Sequence, residues 1–348
     1  MPYKTTALFK SPQINITRSY TSRMWLVSLF ALAAIVQSAF GDGGKSLYTA
    51  LAALSASLLT EFLIGEKIRR FTIPDGSAAA SALVLTLLLP GNIPPVFAAL
   101  GAVFAVAVVK MSFGGIGTNW LNPAVSAWLL IRFSWPKVFT AFTADLSVSA
   151  ITNAGITDTG SIWPILTQYG FPVNENLIPE AVKSTMFSIF RTELPAKYFA
   201  FFASPGAGII GDRGVYALLV GSIFMIALGV SRFSFSACYL TIYLFLIRLA
   251  GALPLGGGLW EGDIFFGLFS GGTLVTAFLL LTEPAAGPKS AFGKSIFAVL
   301  AALFSFFFRY MKAEPYGAFF AVALLNALSP LARSIENRCI YMGGSESQ

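Results

Sequence analysis

Between residues 24 and 332 the chain is a ladder of apolar segments, and that spacing constrains its fold more than any motif. The segments run 24–40, 47–65, 77–90, 95–111, 120–133, 215–231, 233–250, 263–282, 291–308 and 316–332. A full membrane span needs about 20 apolar residues, so several of these are short enough to be tilted or broken crossings. Hydrophobic residues make up 56% of the chain and charged residues 11%, with a mean hydropathy of +0.73, which excludes a soluble globular domain. The expected fold class is an all-α polytopic membrane protein of about ten transmembrane helices. The first 24 residues are polar and basic and hold no short apolar core before a small-residue cleavage site, so no removable signal peptide is expected.

The net charge of +7 is spread in pairs between apolar runs rather than gathered in a patch. That is the pattern of topology signals, and it argues against a nucleic-acid partner. Lys4, Lys10, Arg18 and Arg23 precede the first segment, and Lys67, Arg69 and Arg70 follow the second. Lys110, Arg232, Lys289, Lys294, Arg333 and Arg338 fall on the same side if all ten segments cross. The positive-inside rule then puts both termini in the cytoplasm. The chain has no histidine, and Cys238 and Cys339 lie far apart, which leaves nothing for a zinc, haem or iron–sulfur site. No metal ligand set is expected, and any redox cofactor is organic or shared with a partner.

The expected organisation is a five-span repeat over 1–133, an extracytoplasmic segment over 134–214 and a second five-span repeat over 215–348. GSAAASALVLTLLLPGNIP at 76–94 and SGGTLVTAFLLLTEPAAGP at 270–288 share one plan: small residues, a Leu-rich run, then two prolines. Each is the third segment of its half, and on this topology the two cross in opposite directions. Inverted repeats with interrupted helices in matching places point to a binding site near the middle of the membrane.

Two kinds of side chain stand out inside this framework. Asn119 and Asn122, in GGIGTNWLNPA, are read as sharing one helical face just inside a span, where carboxamides are costly unless paired. They either cap or bond a neighbouring helix, or meet a ligand with a polar edge such as an isoalloxazine ring. Asp75 and Glu283 sit at the cytoplasmic ends of the two matching segments. They either reach headgroup water or belong to a cation or proton pathway. TADLSVSAITNAG at 143–155 is, by composition, a hydroxyl-rich loop.

The order of SPQIN, FGGIGTNWLNPA, the Ser-x-x-Thr loop, SGGTLVTAFLLLTEPAAGPKS and YGAFFAVALLNALSPL resembles the RnfD family of Rnf electron-transport complexes. Its sister is the NqrB component of the sodium-translocating NADH:quinone reductase. The likeness covers nearly the whole chain. It implies a flavoprotein with ten spans in an inverted 5+5 repeat, similar in fold to urea and ammonium channels. Such a protein works in the bacterial inner (cytoplasmic) membrane, in a multi-subunit redox pump that moves Na+ or H+.

The resemblance further implies an FMN joined through its phosphate to a threonine, in a motif like Asp-Gly-x-Ser-Gly-Ala-Thr, attached by a separate flavin transferase. That motif maps onto Asp145, Ser149 and Thr152, with one extra residue between Asp145 and Ser149, and with Thr157 and Thr159 close by. A second, noncovalent flavin (riboflavin) would sit near Asn119 and Asn122, with Gly271, Gly272 and Thr273 as further flavin-site residues. Asp75 and Glu283 match family positions implicated in cation coupling. The competing expectation is a solute channel of the urea or ammonium type without a redox cofactor, which explains the broken helices but not the Ser-x-x-Thr loop.

Overall fold

A computed structural model of the chain describes residues 20–68, 72–115, 119–139, 209–229, 233–251, 259–260, 264–283, 287–288, 290–311 and 316–345. The expected FMN residues Asp145, Ser149 and Thr152, and the neighbouring Thr157 and Thr159, lie outside the described residues. Every regular element among the described residues is helical. An isolated antiparallel bridge between Pro90 and Ile209 is the one piece of β pairing there.

The elements follow the apolar ladder. α1 is Tyr20–Asp42, α2 Lys45–Ile68, α3 Ser77–Leu88, α4 Pro95–Phe104 and α5 Pro123–Ser134. A short α6, Ile210–Arg213, leads into α7, Val215–Ala227, and α8, Phe233–Ala250. The eighth segment is split: α9 Ile264–Phe269, a turn, then α10 Thr273–Val275. α11 Ala291–Phe306 and α12 Gly317–Ser345 complete the order. α4, α10 and α11 each run on into a π-helical stretch, at 105–111, 276–280 and 307–311. Among the described residues five helices are long and apolar enough to cross a bilayer, and 77–88, 95–111 and 215–227 form shorter apolar helices. The chain is a polytopic membrane protein, helical throughout its described regular elements.

The short elements have local causes. α3 stops because Leu89 precedes Pro90, and a residue before proline is pushed out of the helical region; Leu89 is extended at φ −89°, ψ 151°. α3 is hydrophobic on every side, with all but one of its residues buried, as expected for a helix at the centre of a bundle. α1, α2 and α5 all pack on it. Between α9 and α10, Gly271 and Gly272 take φ of 68° and 71°, a left-handed turn that residues with a Cβ adopt only under strain. A methyl at 272 would also run into the ring of Phe319.

The two parts of the chain meet around Trp128 of α5. Edges of the Phe319 and Phe320 rings of α12 each lie 5.1 Å from it, centroid to centroid, and that of Tyr316 lies 6.2 Å away. Close approach elsewhere uses small residues, as helix packing in lipid requires: Gly214 sits against the carbonyl of Ala34, and Gly221 against Phe30.

Candidate functional site

Among the described residues three polar clusters each lie at the end of a short helix. The first surrounds the start of α3. Glu61, in the middle of α2, forms an ion pair and hydrogen bond with Lys110 of the first π-helical stretch. The Lys110 ammonium is also 3.7 Å from Asp75, and Thr72 donates to Glu61 at 2.7 Å. Asp75 in turn accepts from the backbone N–H and the hydroxyl of Ser77 at 2.8 and 2.7 Å, which holds the first turn of α3. Side-chain exposure is 0% for Glu61, 3% for Lys110 and 15% for Asp75. Two carboxylates and one ammonium leave a formal charge of −1, and Glu61 Oε2 has no hydrogen-bond partner among the described residues.

Lys110, expected from the spacing of bases along the chain to be a loop charge, lies instead in a π-helical turn. It is buried, and its charge is spent on Glu61 and Asp75. The π-helical turn, which holds an extra residue, sets the side chain inward at the end of α4.

The second cluster surrounds the start of α10. Asp212 of α6 accepts from the backbone N–H of Gly271 and of Gly272, both at 2.8 Å, with one carboxylate oxygen on each. Arg309, in the third π-helical stretch, donates to the Ser270 carbonyl at 2.9 Å, to the Ser270 hydroxyl and to Tyr243 of α8 at 3.1 Å. Its charge also acts on Asp212. Next door, Arg213 is 3.2 Å from Asp42 at the end of α1, while Gln37 accepts from the Ala217 N–H at 2.7 Å. Ile210 donates to the Leu89 carbonyl at 2.9 Å, so α6 ties the end of α3 to the start of α10.

Gly271, Gly272 and Thr273 are thus engaged by protein groups. The two amides face Asp212, the Thr273 hydroxyl donates to the Gly267 carbonyl at 2.8 Å, and Phe319 fills the space over Gly272.

The third cluster is centred on Glu283, just beyond the π-helical end of α10. The Asn119 and Asn122 side chains lie near its carboxylate, and Asn122 lines a cavity with it. The sequence expectation that the two asparagines share a helical face is corrected here. Asn122 is the N-cap of α5, with its Oδ1 accepting from Ala124 N–H at 3.0 Å and Val125 N–H at 3.1 Å. Asn119 lies in the non-helical approach, where its Nδ2 donates to the Leu121 carbonyl at 3.1 Å. Pro123 explains the difference, because proline suits the first helical position and drives the residue before it out of the helix.

Asn119, Asn122 and Glu283 are brought together, while Asp75 belongs to the separate first cluster. Both carboxylates act electrostatically on Tyr20 at the start of α1, so the two clusters share one end of the bundle.

Glu283 lines two small cavities. One, of about 50 Å³, is bounded by Arg23, Ser81, Val84, Asn122 and Thr282; the other, of about 30 Å³, by Phe235, Lys294, Val322 and Asn326. Each has room for a few waters or an ion.

Glu61, Lys110, Asp212 and Arg309 are functional-site candidates that the motifs alone do not single out. The available signal is a charged residue within or at the end of an apolar segment, as Glu61 is within 47–65 and Arg309 is just past 291–308. Among the described residues no cluster of His, Cys, Asp and Glu could hold a metal ion.

Known proteins resemble this chain in sequence over most of its length. The model of the NQR2, RnfD, RnfE family matches residues 7–341. The D subunit of the proton-translocating ferredoxin:NAD+ oxidoreductase complex of Clostridium ljungdahlii is 30% identical over 92% of this chain and 91% of its own length. The D subunit of the Na+-translocating ferredoxin:NAD+ oxidoreductase complex of Acetobacterium woodii is 27% identical over 95% of this chain and 93% of its own. The D subunit of the ion-translocating oxidoreductase complex of Shewanella frigidimarina is 27% identical over 92% and 93%. The chain belongs to the NQR2, RnfD, RnfE family.

Proposed function

We propose that this protein is the D-type membrane subunit of an ion-translocating oxidoreductase complex, that it carries FMN on Thr152, and that it couples electron flow to movement of Na+ or H+ through Glu283 and Asp75. The observation that carries the reading is near-full-length similarity to subunits of such complexes, joined to an acid at a helix break, Glu283, that lies near two asparagines and lines two water-sized cavities. An apolar bundle retains buried ionisable groups at a cost, and function is the usual reason.

The proposed architecture is an inverted 5+5 repeat of the urea and ammonium channel type, in the inner membrane with both termini cytoplasmic. Its support is a matched order of elements. In both halves the Leu-rich helix of the third segment follows a left-handed glycine, Gly76 or Gly272, and the fourth segment ends in a π-helical stretch with a buried base, Lys110 or Arg309. In each half that base reaches the second span and the start of the third: Glu61 and Asp75 in one, Tyr243 and Ser270 in the other.

FMN would supply one- and two-electron redox chemistry, and Ser149 and Asp145 would flank its attachment on the extracytoplasmic side. The remaining subunits would deliver and remove the electrons, and a flavin transferase would load the threonine. The direct test is a denaturing gel of the chain co-expressed with its transferase. Flavin fluorescence should migrate with the wild-type band and vanish in Thr152→Ala. Fluorescence that persists in this variant, or a wild-type band without any, defeats the assignment.

A further inference from the structure

Lys110 is one ammonium placed between two acids, and it is not shared evenly. Its Nζ is in direct contact with Glu61 Oε1, while Asp75 Oδ1 is 3.7 Å away, near the outer limit of an ion pair. Thr72 donates a second hydrogen bond to the same Glu61 oxygen. Glu61 is therefore the acid that holds the ammonium. Asp75 takes its hydrogen bonds from the backbone N–H and hydroxyl of Ser77, two donors that bring no charge. The negative charge left over in the cluster thus rests mainly on Asp75.

The two acids also differ in access. Glu61 lies within α2 and its side chain is wholly enclosed, whereas Asp75 keeps 15% exposure at the end of the short turn Ile73–Asp75 that leads into α3. A cation from outside the cluster reaches Asp75 first. Glu61 Oε2 has no hydrogen-bond partner among the described residues, a costly state for a carboxylate in an apolar bundle unless the ammonium answers its charge. Lys110 is carried by the π-helical stretch 105–111, a kind of helical irregularity frequent at functional sites, and its ammonium rides on a flexible four-carbon stem. It already stands within ion-pairing distance of both acids, so a side-chain torsion is enough to pass it from one to the other.

We propose that Lys110 is a tethered competitor for the translocated cation. While the ammonium rests on Glu61, Asp75 takes up one monovalent cation; when the ammonium swings onto Asp75, that cation is expelled. The inference rests on the coupling role of Asp75 given above, and it gives Glu61 a part that reading does not: the resting place of the ammonium. Charges balance in each state. With the cation aboard, two carboxylates face two positive charges, and after release the cluster returns to one negative charge, now on Glu61 beside the Thr72 hydroxyl. Na+ is held at Asp75 by its charge, while H+ arrives from hydronium as an O–H bond on the carboxylate and leaves to water. No electron moves in either case, and an ammonium displaces both ions by the same means.

The test uses the whole complex in proteoliposomes, driven by reduced ferredoxin and NAD+. Radioactive Na+ and an internal pH dye identify the ion taken up by the wild type. Turnover is then titrated with that ion, NaCl at constant ionic strength and pH or H+ at constant Na+. Glu61→Gln removes the resting place but keeps its shape, so the ammonium stays on Asp75 and the half-saturating ion concentration should rise about tenfold or more. Glu61→Gln combined with Lys110→Met removes the competitor as well. Half-saturation should then fall about tenfold below the wild type, with lower maximal turnover because nothing expels the cation. A pair that only ties α2 to α4 would not move half-saturation in opposite directions.

A Glu61→Gln half-saturation equal to or below that of the wild type overturns the competitor role, and so does a double variant that shifts the same way as the single one. Asp75→Asn separates this inference from the reading beneath it. Ion uptake that survives intact in Asp75→Asn overturns the coupling role, and this inference with it. Uptake lost in Asp75→Asn without opposite shifts in the other two variants overturns this inference alone.

Discussion

Replacing Asp212 by Asn removes one hydrogen-bond acceptor and almost no volume, at the point where α6 grips the break before α10. In the native chain each carboxylate oxygen accepts one backbone N–H, from Gly271 and from Gly272, at 2.8 Å. Asparagine can satisfy one of those amides with Oδ1 and must turn Nδ2, a donor, toward the other. One buried N–H is left facing a donor, and Arg309 loses a compensating charge. A hydrogen bond to a charged group is worth about 1.5–3 kcal/mol, and stranding a buried polar group costs about 1–3 kcal/mol, so a loss of about 2–4 kcal/mol is expected.

For large domains each kcal/mol shifts the melting midpoint by about 2–4 °C, which gives a drop of roughly 5–15 °C for D212N. D212A strands both amides and should fall further. The assay is tryptophan fluorescence of the purified chain in detergent, heated at one fixed rate because membrane proteins often unfold irreversibly. If D212N melts within a degree of the wild type, or D212A is no worse than D212N, the reading of Asp212 as the clasp of this break is wrong.

Three further outcomes follow from the same clusters. Lys110→Met leaves Glu61 and Asp75 buried beside each other without a counter-charge, and should cost about 3–5 kcal/mol in denaturant or thermal unfolding. Adding Glu61→Gln should recover much of that loss; a double variant no better than the single one refutes the pairing. Gly272→Ala meets a φ of 71° and the Phe319 ring together, and should sharply reduce folded yield in detergent size-exclusion chromatography. Phe319→Leu on top of it should restore part of the yield by relieving the clash, though not the strain. Gly76→Ala, at φ 71° with Trp25 only 2.9 Å from the added methyl, should melt lower than a Ser81→Ala control at the half-buried edge of α3.

The apolar ladder makes the helix positions legible: the segments expected at 77–90, 95–111 and 233–250 return as α3, α4 with its π-helical extension, and α8. Lipid acts as a uniform solvent for such runs, so their bounds need only hydropathy. The eighth segment, 263–282, is expected to be an interrupted helix and is two pieces joined by a left-handed turn, where Gly271 and Gly272 are engaged by a carboxylate about 60 residues earlier. No local rule names that partner.

Asn122 shows the same limit in reverse. Asn-Pro is a start signal for a helix, and it overrides the 3.6-residue periodicity that would put Asn119 and Asn122 on one face. Lys110 is hard to place because a base at the end of an apolar segment looks the same in sequence whether it faces headgroups or a buried glutamate. The proximity of Asn119 and Asn122 to Glu283 joins distant segments and is readable only from the folded chain.

The π-helical stretches carry a consequence for tolerance to length changes. A π turn stores one surplus residue, and each residue in a helix advances the side-chain direction by about 100°. Deleting a single residue within 105–111 would leave a continuous and even better-bonded α-helix, so the span itself would survive. What would change is phase: Lys110 would swing away from Glu61, and the chain running on toward Asn119 would enter with a rotated frame. The surplus residue acts as a vernier, fixing which faces meet at the ends of the bundle while leaving the helix free to cross it.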